Sequence, residues 1–244
     1  VFLFEGLFPH IRRERSRWRH TFVQVAIATF SGAIQLIFFF TVIPYTMVWV
    51  EDRHLGIIPH IPAWWRVIAA FVLFDLWMYW WHRANHRIPL LWRFHRAHHN
   101  DIDMDSLTAW RFHPGEVFIS LSVNMLIVAV FGLQSSHLIV YNAVFLPVIL
   151  LHHSNVALPE AIDRLLRMFI VTPNMHRVHH SIETQETDSN YGSVFSFWDR
   201  LSFSFKKRKD TRAVTFGLPY FREPRWQGIA GFLRIPFIKV ESRK

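Results

Sequence analysis

The sequence predicts an all-α integral membrane fold, with about four transmembrane helices in two hairpins and a histidine-rich cytosolic helical cap. Three observations lead there. The 244-residue chain is 51% hydrophobic with a mean hydropathy of +0.16, and only 18% of it is charged, against about a quarter of an average soluble domain. Its apolar residues fall in long runs. Its positive charge, a net +9 with histidine neutral, falls almost wholly between those runs.

The first run, residues 21–50, follows five arginines between Arg12 and Arg19 and is longer than the roughly twenty residues that cross a bilayer. Pro44 inside it predicts a kink or an early end. The second run, 63–81, carries Asp75 as its one acid, with Arg66 near its start and placed to snorkel. Runs 117–133 and 137–151 are separated only by Gln134, Ser135 and Ser136, the spacing of a helical hairpin. Segments 82–116 and 154–244 are polar, basic and rich in Trp and His, and form the expected cap. The length suits a single domain, 1–244. The chain opens on Val1 rather than Met, so further residues are expected upstream.

Charge assigns the sides. If the N-terminal arm, 82–116 and the tail from 154 share one face, only Arg53 and Arg66 of the 27 Lys and Arg lie on or near the other. That is the positive-inside bias, so the cap is expected in the cytoplasm, beneath a bacterial inner or endoplasmic reticulum membrane. A basic face beside a bilayer meets anionic headgroups. The cluster Lys206, Lys207, Arg208 and Lys209 reads as a solvated tail, with no nucleic-acid module around it. Trp77, Tyr79, Trp80, Trp81 and Trp92 read as an interfacial aromatic belt.

With no cysteine in the chain, disulfide frameworks, iron-sulfur clusters, thiolate zinc sites and cysteine nucleophiles are excluded. A metal must be held by nitrogen or oxygen, and there are sixteen histidines. His82 and His86 are four apart, His95, His98 and His99 form HxxHH, His152 and His153 are adjacent, and His176, His179 and His180 form a second HxxHH. On a helix, positions i, i+3 and i+4 share a face, so each cluster aims two or three imidazoles at one point. The predicted topology brings all of them, with His113, to the cytoplasmic surface. One metal takes about three to five nitrogens, so this set suggests two. Such a site suits iron and also accepts zinc. The isolated His10, His20, His54, His60 and His137 read as solvated or capping residues.

In order, His82-Arg83-Ala84-Asn85-His86, Trp92-Arg93-Phe94-His95-Arg96-Ala97-His98-His99, Arg111-Phe112-His113-Pro114, His153-Ser154-Asn155, His176-Arg177-Val178-His179-His180, Asp188-Ser189-Asn190-Tyr191-Gly192 and Trp198-Asp199-Arg200 resemble the fatty acid hydroxylase and sterol desaturase superfamily, in its bacterial sterol desaturase-like branch. The resemblance covers roughly residues 70–205. It implies a di-iron membrane enzyme that uses O₂ and two electrons to hydroxylate or desaturate lipid C–H bonds. By position it implies His82, His86, His95, His98, His99, His153, His176, His179 and His180 as metal ligands, with His113 and Asn155 as ligands or their supports. Asp188, Asn190 and Tyr191 would buttress the last HxxHH or line the site, and Asp75, two turns before His82, would accept from an imidazole N–H. The chain departs from the family at Val148 and Ile149, where fatty acid 2-hydroxylases carry a further histidine, and at Ser202-Phe203-Ser204-Phe205, where Phe-Gly-Thr-Phe is usual.

No glycine pattern for NAD or flavin is present, so electrons are expected from a separate ferredoxin- or cytochrome-type partner. Two alternatives stand beside the lipid oxygenase. A membrane zinc hydrolase would use the same imidazoles to acidify water, although HExxH is absent. A lipid- or metal-binding protein without catalysis would need only the helices and part of the ligand set.

Overall fold

Pro44 decides the shape of the first apolar stretch. In the computed structural model, which describes residues 1–240, the stretch is two helices rather than one. After the short α1 (Phe2–Leu7), α2 runs Arg17–Phe40 and α3 runs Val42–Asp52. A proline ring clashes with the carbonyl four residues back, here that of Phe40, and the break falls at Thr41. The expected cap range 154–244 ends in residues 241–244, which lie outside the described residues.

The second run is longer than its apolar part. α4 spans Ala63–Arg87, so the helix continues past the apolar run by more than a turn and carries His82 and His86. Ile88 is extended ahead of Pro89, as the residue before proline prefers, and Pro89 opens α5 (Pro89–His99). After a capped turn at Ser106–Trp110, α6 (Pro114–Phe131) and α7 (Ser135–His153) form the expected hairpin. Gly132 closes α6 with φ 73°, and a Cβ there would lie 2.0 Å from the Leu55 carbonyl oxygen, so only glycine fits. The rest of the cap is short: α8 (Glu160–Leu166), α9 (Pro173–His179), α10 (Thr184–Thr187), α11 (Phe197–Leu201) and α12 (Ile229–Arg234). Among the described residues there are isolated β-bridges but no strands.

Among the described residues, three helical stretches are long and apolar enough to cross a membrane: Arg17–Asp52, Pro114–Phe131 and Ser135–His153. α4 does not reach that hydropathy, because Trp64, Trp65, Trp77, Trp80, Trp81, Arg66 and Asp75 occupy it. Its aromatic string is mostly structural rather than an interfacial belt. Tyr79, Trp81 and Trp92 are buried, Trp77 Nε1 donates to Asn124 Oδ1 at 2.8 Å and Trp81 Nε1 donates to Ser120 Oγ at 3.0 Å. Trp80 is 48% exposed.

Two buried carboxylates join cap to helices. Asp75 Oδ1 accepts from Tyr141 Oη on α7 at 3.0 Å and from Val194 N at 3.1 Å; Oδ2 accepts from Phe195 N at 3.0 Å and Trp198 Nε1 at 2.9 Å. Asp101 accepts from His20 at 2.9 Å, from Thr108 Oγ1 at 2.8 Å and from Gln24. His20 therefore does not match the solvated or capping reading: it is 2% exposed between Asp101 and Asp105. Burial alone would raise the Asp101 carboxyl, but His20 and Arg111 hold it well below the ordinary value. At the unusual Ser202-Phe203 turn, Phe203 takes φ 56°, a left-handed conformation costing a side-chain-bearing residue about 1–2 kcal/mol.

Replacing Asp75 with Ala strands four buried or half-buried donors at once, each worth about 1–3 kcal/mol when unsatisfied. Thermal unfolding of purified Asp75→Ala is expected to begin many degrees below wild type; coincident curves would refute the anchoring role.

Candidate metal centre

The two HxxHH motifs do not each make one site. At 3.6 residues per turn, i and i+4 lie about 40° apart around a helix while i+3 lies about 100° from i+4. The structure uses that angle to divide each motif. His95 and His99 of α5 join His82 and His86 of α4 and His179 of α9. His98 joins His153 of α7 and His176 and His180 at the end of α9. Within each set, one ring nitrogen per residue lies within 4.8 Å of every other. The sets adjoin, with the His99 and His180 rings stacked at 4.4 Å. All nine rings are buried except His82, which is partly so.

Fixed acceptors set the protonation of most of these rings. Nδ1 of His82 faces the Tyr191 carbonyl at 2.9 Å, that of His179 the Ser189 carbonyl at 2.7 Å, that of His98 the Arg111 carbonyl at 3.2 Å and that of His153 the Ile149 carbonyl at 2.9 Å. His95 Nδ1 faces Glu116 Oε1 at 2.6 Å, and His86 Nδ1 faces Asp188 Oδ1 at 3.4 Å. A carbonyl or carboxylate oxygen only accepts, so Nδ1 carries the proton and Nε2 keeps its lone pair. Burial, reinforced by neighbouring imidazoles, pushes His98, His99, His176, His179 and His180 well below the ordinary histidine value and His82 down to about 3. Those six rings are thereby held in the neutral form, the one that binds a metal.

The donor set fits cations. In the second group, Nε2 atoms face one another at 2.9 Å (His176 to His153), 3.2 Å (His98 to His180) and 3.4 Å (His153 to His98). His98 and His153 have already committed their protons outward, so bare lone pairs point together, an arrangement that a positive ion between them stabilises. In the first group, His95 Nε2, His179 Nε2 and both His99 nitrogens are buried without a hydrogen-bond partner.

The remaining predicted residues lie around these sets in different ways. His113 stands apart: its Nδ1 accepts from Gly115 N at 3.0 Å, capping α6, and its Nε2 lies 3.3 Å from the Leu233 carbonyl. Asp75 reaches no imidazole, since its oxygens take the four bonds given above. Asn155 is spent on the N-terminal arm, accepting from Ile11 N at 2.9 Å and donating to Ile11 O at 2.8 Å. Asn190 braces α9, donating to Met175 O at 3.0 Å and Lys206 O at 2.8 Å. Asp188 and Tyr191 do touch the first set, as the acceptors of His86 and His82. His152 belongs to neither set; its ring stacks on His176 at 4.1 Å and both its nitrogens are buried without a partner.

Sequence reasoning missed Glu116, the strongest acceptor here. Its signal was an acid at the third position of an otherwise apolar helix. The carbonyls of Arg111, Ile149, Ser189 and Tyr191 carry no side-chain signal at all. Below the histidines lies a cavity of about 290 Å³, walled by α2, α4, α6 and α7, and it touches both sets: His82 and His95 from the first, His98, His153 and His176 from the second.

Residues 67–203 match the family model for fatty acid hydroxylase. The chain belongs to the fatty acid hydroxylase family. Curated relatives of this chain include an ornithine lipid hydroxylase of Rhizobium tropici, 27% identical over 89% of this chain and 67% of that protein. Human alkylglycerol monooxygenase is 30% identical over 72% of the chain, and mouse lathosterol oxidase 31% over 57%. The chain spans only 38% of the human protein and 44% of the mouse one. No solved structure matches it.

Removing Glu116 frees the outer face of the His95 ring, and losing such a partner weakens metal binding by about 10- to 100-fold. In chelator competition, Glu116→Ala is expected to show that loss while His113→Ala holds metal as wild type does; equal losses would contradict the division between them.

Proposed function

We propose that the chain is a membrane di-iron oxygenase that hydroxylates or desaturates a lipid C–H bond, with O₂ as oxidant and electrons from a separate ferredoxin- or cytochrome-type donor. The observation that carries this reading is the cavity: one space between apolar helices touches imidazoles of both sets, so a lipid chain lying in it reaches both at once. An iron pair, when bound, supplies the activation of O₂ for C–H oxidation. His82, His86, His95, His99 and His179 would hold one ion, and His98, His153, His176 and His180 the other. Zinc would occupy the same nitrogens in a sample purified without iron.

The chain's own residues would do the rest. Glu116 and the outer carbonyls orient the ligand rings, Asp188 and Tyr191 support His86 and His82, and Asn155 and Asn190 hold the arm and α9 in place. The apolar walls exclude water from the reacting carbon and select for lipid. α4 would be a fourth crossing, packed against α7, and the charge bias would put the histidines on the cytoplasmic face. The absence of HExxH and the all-nitrogen donor sets favour this over a hydrolase.

Untargeted lipidomics of a host expressing wild type beside His179→Ala tests the proposal, with iron content and O₂ uptake measured on the purified proteins. The expected result is a lipid that has gained one oxygen atom or lost two hydrogens with wild type alone. Identical lipidomes, with iron-loaded wild type inserted in the membrane, would refute it.

A further inference from the structure

Polar side chains facing a hydrocarbon environment need a reason, because an unpaired amide there is costly and such residues commonly mark a functional path. Three apolar helices each send an amide to the same cavity: Gln35 from α2, Asn124 from α6 and Asn142 from α7. Gln35 and Asn142 are exposed, and the side chain of Gln35 makes no hydrogen bond among the described residues.

The two asparagines are oriented by partners whose chemistry runs one way. Trp77 Nε1 only donates, and it faces Asn124 Oδ1 at 2.8 Å, so the Asn124 NH₂ is the end left for a ligand. The Leu138 carbonyl only accepts, and it faces Asn142 Nδ2 at 2.8 Å, so the Asn142 oxygen is left. One wall offers a donor and another an acceptor.

Their depth follows from the helices. Asn124 is level with Trp77, five residues before His82, and Asn142 follows Tyr141, which bonds Asp75, seven residues before His82. At 1.5 Å per residue Asn124 lies about 8 Å below His82, and Asn142, eleven residues before His153 on α7, about 16 Å below that ligand. Between them and the imidazoles the lining includes Met78, Val117, Leu121 and Ile149.

From this we infer that Asn124 and Asn142 hold a neutral group of the lipid substrate that both donates and accepts a hydrogen bond, a secondary amide or a hydroxyl, about 8–16 Å from the carbon that is oxidised. The inference rests on the cavity being the lipid site of the proposed function, and deepens it by naming the substrate class. An ester or ether accepts only, so it would leave the Asn142 oxygen without a donor. The pair fixes how far the lipid slides into the cavity, and with that which carbon is presented to the metals.

Binding tests this apart from catalysis. Three probes of matched length, N-dodecylacetamide, pentadecan-2-ol and dodecyl acetate, would be compared by native mass spectrometry on the full chain, as wild type, His179→Ala, Asn142→Leu and Asn142→Ala. One hydrogen bond is worth about a fivefold change in affinity. Wild type and His179→Ala should prefer the amide, the alcohol or both over the ester by that factor, and the tighter of the two identifies the group. Both Asn142 variants should lose the preference while binding the ester as before. Equal affinity for all three probes, binding of none, or a preference that survives in a folded Asn142 variant would overturn the assignment. Because His179→Ala disables the metal site, a preference retained there alongside unchanged lipidomes would refute the oxygenase reading alone.

Discussion

The protonated Nδ1 of each outward-facing imidazole is the interaction on which the centre depends. A neutral imidazole has one proton and two nitrogens, and only a hydrogen bond on the outer nitrogen guarantees a lone pair on the inner one. Six of the nine gathered rings have such a partner in the structure, two of them carboxylates and four of them backbone carbonyls. Without those acceptors, nine closely packed rings would pair with one another in many arrangements, and no single point would collect lone pairs.

The acceptors come from places far apart in sequence, so the fold has to deliver them. The Tyr191 and Ser189 carbonyls lie in the loop that Asp75 and Asp199 hold: Asp75 takes the Val194 and Phe195 N–H groups, and Asp199 takes those of Tyr191 at 2.7 Å and Gly192 at 2.9 Å. The Arg111 carbonyl is set by the buried network of His20, Gln24 and Asp101, in which Arg111 Nη1 donates to Gln24 Oε1 at 3.2 Å. These charges are buried in mutually satisfying groups, which is the condition for tolerating them at all. Their role is to fix geometry.

Much of this was legible in the sequence. The α6–α7 hairpin follows from two apolar runs and a three-residue gap, and the break near Thr41 from Pro44. Spacing singles out the nine gathered histidines together with His152, and the family resemblance picks His153 from that adjacent pair. The division of each HxxHH between two sets was not legible, because periodicity places i, i+3 and i+4 on one face and does not say that two partner groups approach that face from either side. His113 and Asn155 have side chains suited to ligation, yet a helix cap and the N-terminal arm claim them, and both partners are backbone groups that composition does not reveal. His20 looked like a solvated residue at the base of a span because its partners, Asp101 and Asp105, are about eighty residues away in a loop.

Two adjacent imidazole sets should form two separate ion sites in one chain. An anaerobic titration of the metal-free protein with ferrous iron, read by bound metal per chain, tests it most directly. Wild type is expected to saturate at two ions per chain, and a protein carrying His98→Ala and His180→Ala together, which disables the second set alone, at one. Saturation of wild type at a single ion, or loss of both ions in that double variant while it remains folded, would contradict it.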